Sequence, residues 1–210
     1  MQAVDPDALA RAIAVIRRGG VVAVPTETFY GLAADATHQM AVARIFEIKG
    51  RPIGLALPLV AGSFGQVADM LGPIDDATAR AARTFWPGPL SLVLAATPLL
   101  SATVGHAASR KPATGDRTVA VRVPGHAFVR ELALGAGTLL TSTSANRTGE
   151  PPAETAQAVI AALGDAVDLV IDGGPTPGGK PSTIADLRGG VPRLLREGAV
   201  AWSAVLESLQ

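Results

Sequence analysis

The sequence predicts an α/β protein in which a twisted, mixed β-sheet is flanked by helices. Patterns typical of strands alternate with patterns typical of helices along most of the 210 residues. Apolar residues make up 48% of the chain, enough for a sizeable core, while only 4% of the residues are aromatic. Because no linker, internal repeat or low-complexity segment divides the sequence, residues 1–210 are predicted to form a single domain.

The first predicted elements are a helix, a strand and a second helix. The first helix begins at Asp5-Pro6, an N-cap followed by a proline in the first turn, and it ends at a pair of glycines. The run 21–24 is apolar and stops at a proline, which is typical of a buried strand. Residues 40–49 carry apolar side chains at helical spacing, which predicts the second helix.

The same alternation continues along the rest of the chain. Strands are predicted over 55–60, 90–95, 118–123, 138–141, 168–171, 183–187 and 193–195, and helices over 75–85, 127–134 and 154–163. Pro58 indicates an edge or a bulge in its strand. Residues 97–117 have no clear period and carry several small polar side chains, so we expect a mobile loop there.

Composition excludes several classes of protein. Lysine plus arginine equals aspartate plus glutamate at 18 each, whereas a protein that holds nucleic acid by charge alone is usually basic. The absence of cysteine excludes disulfides, thiolate zinc sites, iron–sulfur clusters and a cysteine nucleophile. No signal peptide and no apolar stretch of ~18 residues is visible, which predicts a cytoplasmic protein with no membrane partner.

Residues 174–180 imitate a phosphate-binding loop. They satisfy most of the pattern G-x-x-x-x-G-K-[ST], but Pro181 replaces the hydroxyl that binds magnesium. Such a loop also requires a helix after it, and residues 182–187 have the pattern of a strand. A flexible glycine- and proline-rich loop is therefore predicted. Other catalytic signatures are missing, and the histidines lack metal-ligand spacing, so no metal site is predicted.

Two segments early in the chain carry polar side chains, hydroxyls in one and cations in the other. Residues 25–32 follow a predicted buried strand, at the end of a strand where open α/β sheets bind ligands, although the same residues could simply form a turn. Residues 49–52, Lys-Gly-Arg-Pro, follow a helix. Their cations could cap the helix carbonyls or project together toward a polyphosphate.

Two later segments have the same character. In residues 138–146 an apolar strand runs into a series of hydroxyl and amide side chains, which is a suitable composition for a polar cradle. Residues 180–183, Lys-Pro-Ser-Thr, are followed further along by Arg196-Glu197-Gly198. These segments predict a site made of hydroxyls, amides and cations, without an evident covalent nucleophile.

Taken in order, these segments resemble the YrdC/TsaC-like family of L-threonylcarbamoyladenylate synthases. The resemblance covers about residues 10–200, nearly the whole chain. The matching motifs are Gly-Gly-Val-Val-Ala-Val-Pro-Thr-Glu-Thr at 19–28, Lys-Gly-Arg-Pro at 49–52, Phe-Trp-Pro-Gly-Pro at 85–89, Thr-Val-Ala-Val-Arg-Val-Pro at 118–124, Ser-Thr-Ser-Ala-Asn at 142–146, Pro-Ser-Thr-Ile-Ala-Asp at 181–186 and Arg-Glu-Gly-Ala at 196–199.

This resemblance implies a YrdC-like fold and a nucleotidyltransferase reaction. L-Threonine, bicarbonate and ATP would give threonylcarbamoyl-AMP and pyrophosphate, with Mg²⁺ expected alongside ATP. The product feeds the t6A modification at adenosine 37 of transfer RNA. The implied macromolecular partners are tRNA or double-stranded RNA and the proteins that complete the modification. Since the sequence ends at Gln210, without the C-terminal domain of longer members, the short single-domain form is expected.

The resemblance also implies roles for individual residues. Lys49 and Arg51 match the catalytic cations at the ATP phosphates. The other ATP-binding residues implied are Thr118, Ser144, Asn146 and Arg196. The threonine-binding residues implied are Thr28, Arg122, Ser142 and Ser182.

The sequence departs from the family pattern directly after Arg51-Pro52. Many members place an aspartate or asparagine there, followed by Pro-Leu and a histidine, whereas this chain continues as Ile-Gly-Leu-Ala-Leu-Pro-Leu-Val over 53–60. The resemblance therefore leaves the selectivity for threonine over serine open. Two other functions compatible with the resemblance are a non-catalytic module that binds double-stranded RNA or tRNA and a paralogue that acts on another carbamoyl compound.

Overall fold

The computed structural model describes residues 5–50, 56–104 and 117–210. The α-helices in these ranges are α1 (Pro6–Arg17), α2 (Gln39–Lys49), α3 (Phe64–Leu71), α4 (Asp76–Phe85), α5 (Pro98–Val104), α6 (Ala127–Ala136), α7 (Ala156–Leu163) and α8 (Trp202–Glu207). The strands are β1 (Val22–Val24), β2 (Gly31–Ala33), β3 (Leu59–Val60), β4 (Leu90–Ala95), β5 (Thr118–Arg122), β6 (Leu140–Thr141), β7 (Thr143–Ser144), β8 (Leu169–Val170), β9 (Thr183–Asp186) and β10 (Arg193–Arg196).

The strands form two mixed sheets, which confirms the predicted α/β class. The smaller sheet has the strand order β7-β2-β1-β8, and the larger sheet has the order β10-β9-β4-β5-β3-β6. Each sheet contains both parallel and antiparallel pairs. Because both sheets are mixed, each can bring the end of one strand beside the start of another, and polar segments that are distant in sequence can meet.

The two sheets are joined at Ser142, between β6 and β7. Strand β6 pairs with β3 in the larger sheet, whereas β7 pairs with β2 in the smaller one. The amide of Thr141 also donates to the carbonyl of Ala34, and the amide of Ala36 donates to the carbonyl of Leu139. A single stretch of chain therefore belongs to both sheets.

Helix caps explain where the first two helices begin and end. The carboxylate of Asp5 accepts a hydrogen bond from the amide of Asp7, and proline occupies the first turn of α1, as predicted. Helix α2 ends at Gly50, whose φ of 57° lies in the left-handed region that favours glycine. This turn ends the helix at Lys49, beside the junction of the two sheets.

Three hydrophobic clusters hold the layers together. One packs α2, α5 and α7 on the inner faces of both sheets, a second packs α1 and α6 against β1, and a third packs α4 and α8 against β4 and β9. The largest fully buried side chains are mainly leucine and isoleucine, in agreement with the low aromatic content. None of the helices in the described ranges is both long and apolar enough to span a membrane.

The region predicted as a mobile loop contains a helix instead. Residues 98–104 form α5, which buries Leu100 and Val104 against the core. The hydroxyl of Thr103 also donates to the carbonyl of Ala36 at 2.7 Å. The prediction was wrong there because a helix of seven residues is too short to show a clear period in the sequence. Residues 105–116 lie outside the described residues.

Other differences concern short elements. The strand predicted over 55–60 is limited to Leu59–Val60 in the described part of the chain, since residues 51–55 lie outside it. Strands β2 and β7 and helices α3 and α8 were not predicted from the sequence. After the glycine-rich segment 174–180, the chain forms β9 rather than a helix, which confirms that the segment is not a phosphate-binding loop.

Candidate functional site

A cavity of about 410 Å³ opens where the polar segments meet. Its wall combines the turn after β1, the last residue of α2, the end of β5, the junction of β6 with β7, and residues on β9 and β10. The lining residues are Thr26, Thr28, Phe29, Tyr30, Gly31, Lys49, Ala56, Pro58, Arg122, Ser142, Thr143, Ser144, Asn146, Thr148, Gly149, Pro181, Ser182, Ile184 and Arg196.

The turn after β1 is fixed by its own hydroxyl. The Oγ1 of Thr26 accepts a hydrogen bond from the amide of Thr28 and donates to the carbonyl of Phe29 at 2.7 Å. Thr26 is buried, whereas Thr28 is half-buried on the cavity wall. Thr26 therefore forms the turn, as one interpretation predicted, and both threonines line the cavity, as the ligand-binding interpretation requires.

Tyr30 supports the same wall and was not among the predicted site residues. Its hydroxyl donates to the carbonyl of Gly174 at 2.8 Å and accepts from the amide of Gly173 at 3.2 Å. Burial raises the pKa of the Tyr30 phenol, so the group remains a donor at neutral pH. A single tyrosine beside a hydroxyl-rich motif was the available sequence signal.

Lys49 holds the loop after β7. Its buried ammonium group donates to the carbonyl of Ser144 at 2.6 Å, the carbonyl of Asn146 at 2.9 Å and the Oδ1 of Asn146 at 3.2 Å. The Oγ of Ser144 contacts the same Oδ1, and the side-chain amide of Asn146 donates to the carbonyl of Glu150. Lys49 therefore shapes this loop while it adds positive charge to the cavity.

Arg122 lies at the end of β5 and is buried, with 6% of the residue exposed. Its Nη1 donates to the Oε1 of Glu27, with which it forms an ion pair. Desolvation, followed by the nearby charge of Arg196, lowers the pKa of Arg122 to about 10. The guanidinium is therefore still charged at neutral pH.

Arg196 is held against Ser182. Its Nε and Nη2 donate to the carbonyl of Ser182 at 3.0 and 2.7 Å, and Nη2 also contacts the Oγ of Ser182 at 2.9 Å. That Oγ lies 3.1 Å from the Oγ of the buried Ser91. Although much of Arg196 is exposed, partial burial lowers the pKa of its guanidinium. A residue assigned to threonine and one assigned to ATP are therefore directly hydrogen-bonded.

The cavity is positively charged. Lys49, Arg122 and Arg196 line it, and no carboxylate does so among the described residues. In the same residues, no group of three or more His, Asp or Glu side chains could hold a metal ion. Cations surrounded by hydroxyls and amides suit an anionic ligand, and arginine suits carboxylates and phosphates in particular.

The cavity brings together most of the residues singled out in the sequence. The described members of that set that line it are Thr28, Lys49, Arg122, Ser142, Ser144, Asn146, Ser182 and Arg196. Thr118 does not line it, because it is buried at the start of β5 opposite Ala95, and Arg122 lies at the other end of the same strand. Arg51 lies outside the described residues.

A second cavity, of about 670 Å³, lies on the other side of the Pro25–Glu27 segment. Asp5, Glu27 and Asp172 bring carboxylates to its wall, and Arg11 brings a cation. Glu27 therefore reaches Arg122 from a wall that does not belong to the first cavity.

Two buried polar atoms near the second cavity have no hydrogen-bond partner among the described residues. They are the Oε2 of Glu27 and the Nδ1 of His126. Burial and then the charge of Arg130 lower the pKa of His126, so its ring is neutral at neutral pH. With a neutral histidine, the lining carboxylates outnumber the one lining arginine, so the wall of the second cavity is acidic.

Comparison with known proteins gives consistent family matches. Residues 14–198 match the family profile Sua5_yciO_yrdC, described as telomere recombination. A threonylcarbamoyl-AMP synthase from Bacillus subtilis is 36% identical over 196 residues, which cover 93% of this chain and 54% of that protein. A putative threonylcarbamoyl-AMP synthase from Mycobacterium tuberculosis is 35% identical over 209 residues, which cover 98% of this chain and 92% of that protein.

A solved structure also matches closely. The crystal structure of P. abyssi Sua5 in complex with L-threonine superposes with a TM-score of 0.87 at 34% identity. The match covers 99% of this chain and 58% of that one. The chain therefore spans about half the length of some relatives and nearly the full length of others.

Proposed function

This chain belongs to the Sua5/YciO/YrdC family, and on that basis we propose that it is a threonylcarbamoyl-AMP synthase that consumes L-threonine, bicarbonate and ATP. The observation that carries the proposal is the cavity in which Lys49, Arg122 and Arg196 lie among hydroxyls and amides, with no lining carboxylate among the described residues. Both the triphosphate of ATP and the carboxylate of threonine are anions that such a wall attracts.

The proposed reaction needs no covalent attachment to the protein. The threonine amine combines with bicarbonate, losing water, to give a carbamate. A carbamate oxygen then attacks the α-phosphorus of ATP, the bond to the β,γ-phosphates breaks, and pyrophosphate leaves. Catalysis of this kind depends on positioning and on charge stabilisation, which an array of fixed cations and hydroxyls can supply.

Each part of the cavity has a proposed role. Arg122 binds the threonine carboxylate, with Thr28, Ser142 and Ser182 around the rest of the amino acid. Arg196 binds the nucleotide. The hydrogen bonds between Arg196 and Ser182 support adjacent positions for the two substrates, because they join a proposed nucleotide-binding residue to a proposed threonine-binding one.

Lys49 has two proposed roles, which follow from its hydrogen bonds. It fixes the loop that carries Ser144 and Asn146 at the nucleotide, and its charge stabilises the triphosphate. Arg51 and Thr118 remain proposed ATP-binding residues on the motif match alone. Arg51 would add a forked donor to the phosphates.

Mg²⁺ is proposed to enter with ATP. The described cavity wall has no carboxylate, and Mg²⁺ bound by proteins usually relies on one or two carboxylates together with substrate phosphates. The described residues therefore do not fit a resident magnesium site. Transfer RNA or double-stranded RNA and the proteins that complete the t6A modification remain predictions from the resemblance. A cytoplasmic location remains a prediction from the sequence, in which no signal peptide or long apolar stretch is visible.

The direct test uses the purified protein with ATP, L-threonine and ¹⁴C-bicarbonate. We expect a ¹⁴C-labelled adenylate and an equal amount of pyrophosphate, both dependent on threonine. Reactions without threonine, or with serine in its place, serve as controls and measure the amino-acid selectivity. RNA binding without any threonine-dependent adenylate would favour the non-catalytic module instead, and an adenylate formed only from another carbamoyl compound would favour the paralogue.

A further inference from the structure

We propose that Glu27 is a positioning residue for the amino-acid substrate, acting on its carboxylate through Arg122 from behind the cavity wall. This inference rests on the proposed function, since it assumes that Arg122 binds the threonine carboxylate. Glu27 itself would not touch either substrate.

The ion pair lies between the two cavities. Arg122 lines the first cavity, whereas Glu27 lines the second, so the bond between Nη1 of Arg122 and Oε1 of Glu27 crosses the wall that separates them. An arginine has five N–H donors in a rigid plane. With one of them held by Glu27, the movement of the guanidinium is restricted and other donors remain for a ligand in the cavity.

Both side chains of the ion pair are largely buried. The exposed fractions of the side chains are 7% for Arg122 and 19% for Glu27. A buried charge requires a partner, because the loss of water is expensive. Arg122 also lies near the like charge of Arg196, which would push the two guanidinium groups apart if nothing held Arg122. Glu27 is the ion-pair partner of Arg122 among the described residues.

The backbone that carries Glu27 is itself held in place. It belongs to the turn closed by the hydrogen bonds of Thr26. Its Cβ and Cγ also pass close to Gly125, where an added Cβ would lie 3.7 Å from each of them. A carboxylate on a rigid turn can transmit that rigidity to the guanidinium that it binds.

A specific distribution of effects follows. Loss of Glu27 should weaken the use of threonine and leave the use of ATP nearly unchanged, since Arg196 and Lys49 have hydrogen-bond partners of their own. The effect should depend on the substrate carboxylate. L-Threoninamide, which has a neutral amide in its place, should not respond to the change.

The experiment compares Glu27→Ala and Glu27→Gln with the wild-type protein, by pyrophosphate release at varied threonine, threoninamide and ATP. We expect Glu27→Ala to raise the KM for threonine about tenfold, the value of one charge-assisted hydrogen bond. Glu27→Gln should have a smaller effect, because its amide oxygen can still accept from Arg122. Asp172→Asn is the matched control, since Asp172 lies on the same second cavity without contact to Arg122 and should behave as wild type.

A double-mutant cycle separates positioning from general damage. If Glu27 acts through Arg122, Glu27→Ala should have little further effect on threonine use in an Arg122→Ala background. An unchanged KM for threonine in Glu27→Ala would overturn the positioning role alone. Equal losses for threonine, threoninamide and ATP would overturn it as well, as would an additive double variant. Absence of threonine-dependent turnover in the wild-type protein would overturn both this inference and the proposed function.

Discussion

The two cavities on either side of Glu27 differ in the sign of the charge on their walls. The first has Lys49, Arg122 and Arg196 and no lining carboxylate among the described residues, whereas three carboxylates reach the second. Opposite charges thus lie on the two walls, and the ion pair between Arg122 and Glu27 joins them. The comparison teaches that counter-charges can stabilise a basic cavity from outside, without occupying the space that an anionic ligand needs.

The largest expected effect comes from removing the cation of that ion pair. Arg122→Ala should lower kcat/KM for threonine at least about thirtyfold, because truncating one member of a buried, hydrogen-bonded charge pair costs about 2–5 kcal/mol. Steady-state kinetics with threonine varied at saturating ATP measures it. Arg122→Lys keeps the charge but loses the paired N–H donors of the guanidinium, so its kcat/KM for threonine should lie between those of wild type and Arg122→Ala. A normal threonine dependence in Arg122→Ala would end the distinction between a substrate-binding cavity and its supporting wall.

The next effect concerns a cation predicted from the sequence alone. Arg51→Ala should reduce turnover at least tenfold, since a charge-assisted hydrogen bond to phosphate is worth about 1.5–3 kcal/mol. The rate of pyrophosphate release at saturating threonine and ATP measures this change, with the exposed Arg11 of the second cavity changed to alanine as the control. Equal rates in Arg51→Ala and wild type would rule out the proposed role of Arg51 at the ATP phosphates.

A smaller effect concerns a carboxylate that is fully buried beside the strand of Arg196. Burial by itself disfavours the charged form of Asp186, but hydrogen bonds from Arg188 and Arg193 outweigh it, and the pKa of Asp186 is lowered. The resulting stability is therefore present above the ordinary aspartate pKa of about 3.9 and is lost as the pH falls through the lower pKa of the folded state.

Asp186→Asn should accordingly lower the free energy of unfolding by about 1 kcal/mol at neutral pH, the charge-assisted part of these bonds. Urea unfolding of both proteins between pH 7 and pH 2 tests this, and the difference between them should shrink on acidification. A difference that grew toward low pH would contradict the lowered pKa.

The smallest expected effect is that of Ser91, whose hydroxyl reaches the first cavity through the Oγ of Ser182. Ser91→Ala removes a hydroxyl that shares a hydrogen bond with the Oγ of Ser182, while Arg196 still holds that oxygen. We expect this change to weaken threonine binding by about 0.5–1 kcal/mol, which corresponds to a roughly twofold to fivefold rise in KM for threonine. Thr84→Ala is a suitable control, because its hydroxyl only returns to its own helix. A tenfold or larger loss would show that the hydroxyl chain matters as much as the ion pair.

The sequence predicted which residue types line the first cavity better than it predicted what they contact. The segments that contain Thr28, Lys49, Ser144 and Arg196 were singled out because hydroxyls and cations follow strand and helix ends, and the family resemblance then assigned the individual residues. The bonds of Lys49 to the loop at Ser144 span 95 residues of sequence, and no local pattern encodes such a contact.

The same limit applies to the supporting residues. Ser91 sits in an apolar strand with nothing around it in sequence to mark a polar role, and it meets Ser182 only when β4 pairs with β9. Thr118 shows a further limit, because its motif also contains Arg122 but the two residues lie at opposite ends of β5, and of the two Arg122 lines the first cavity. The helices and strands missed from the sequence are short and have few buried residues, so their periodicity is weak.

The junction at Ser142 has a consequence for how this chain can vary. Because β6 and β7 are separated by one residue and pair in different sheets, the register of one strand fixes the register of the other. Inserting or deleting one residue there would turn every side chain on one flank to the opposite face of its sheet. We therefore expect any change in the length of the stretch from Leu140 to Ser144 to disrupt one of the two sheets.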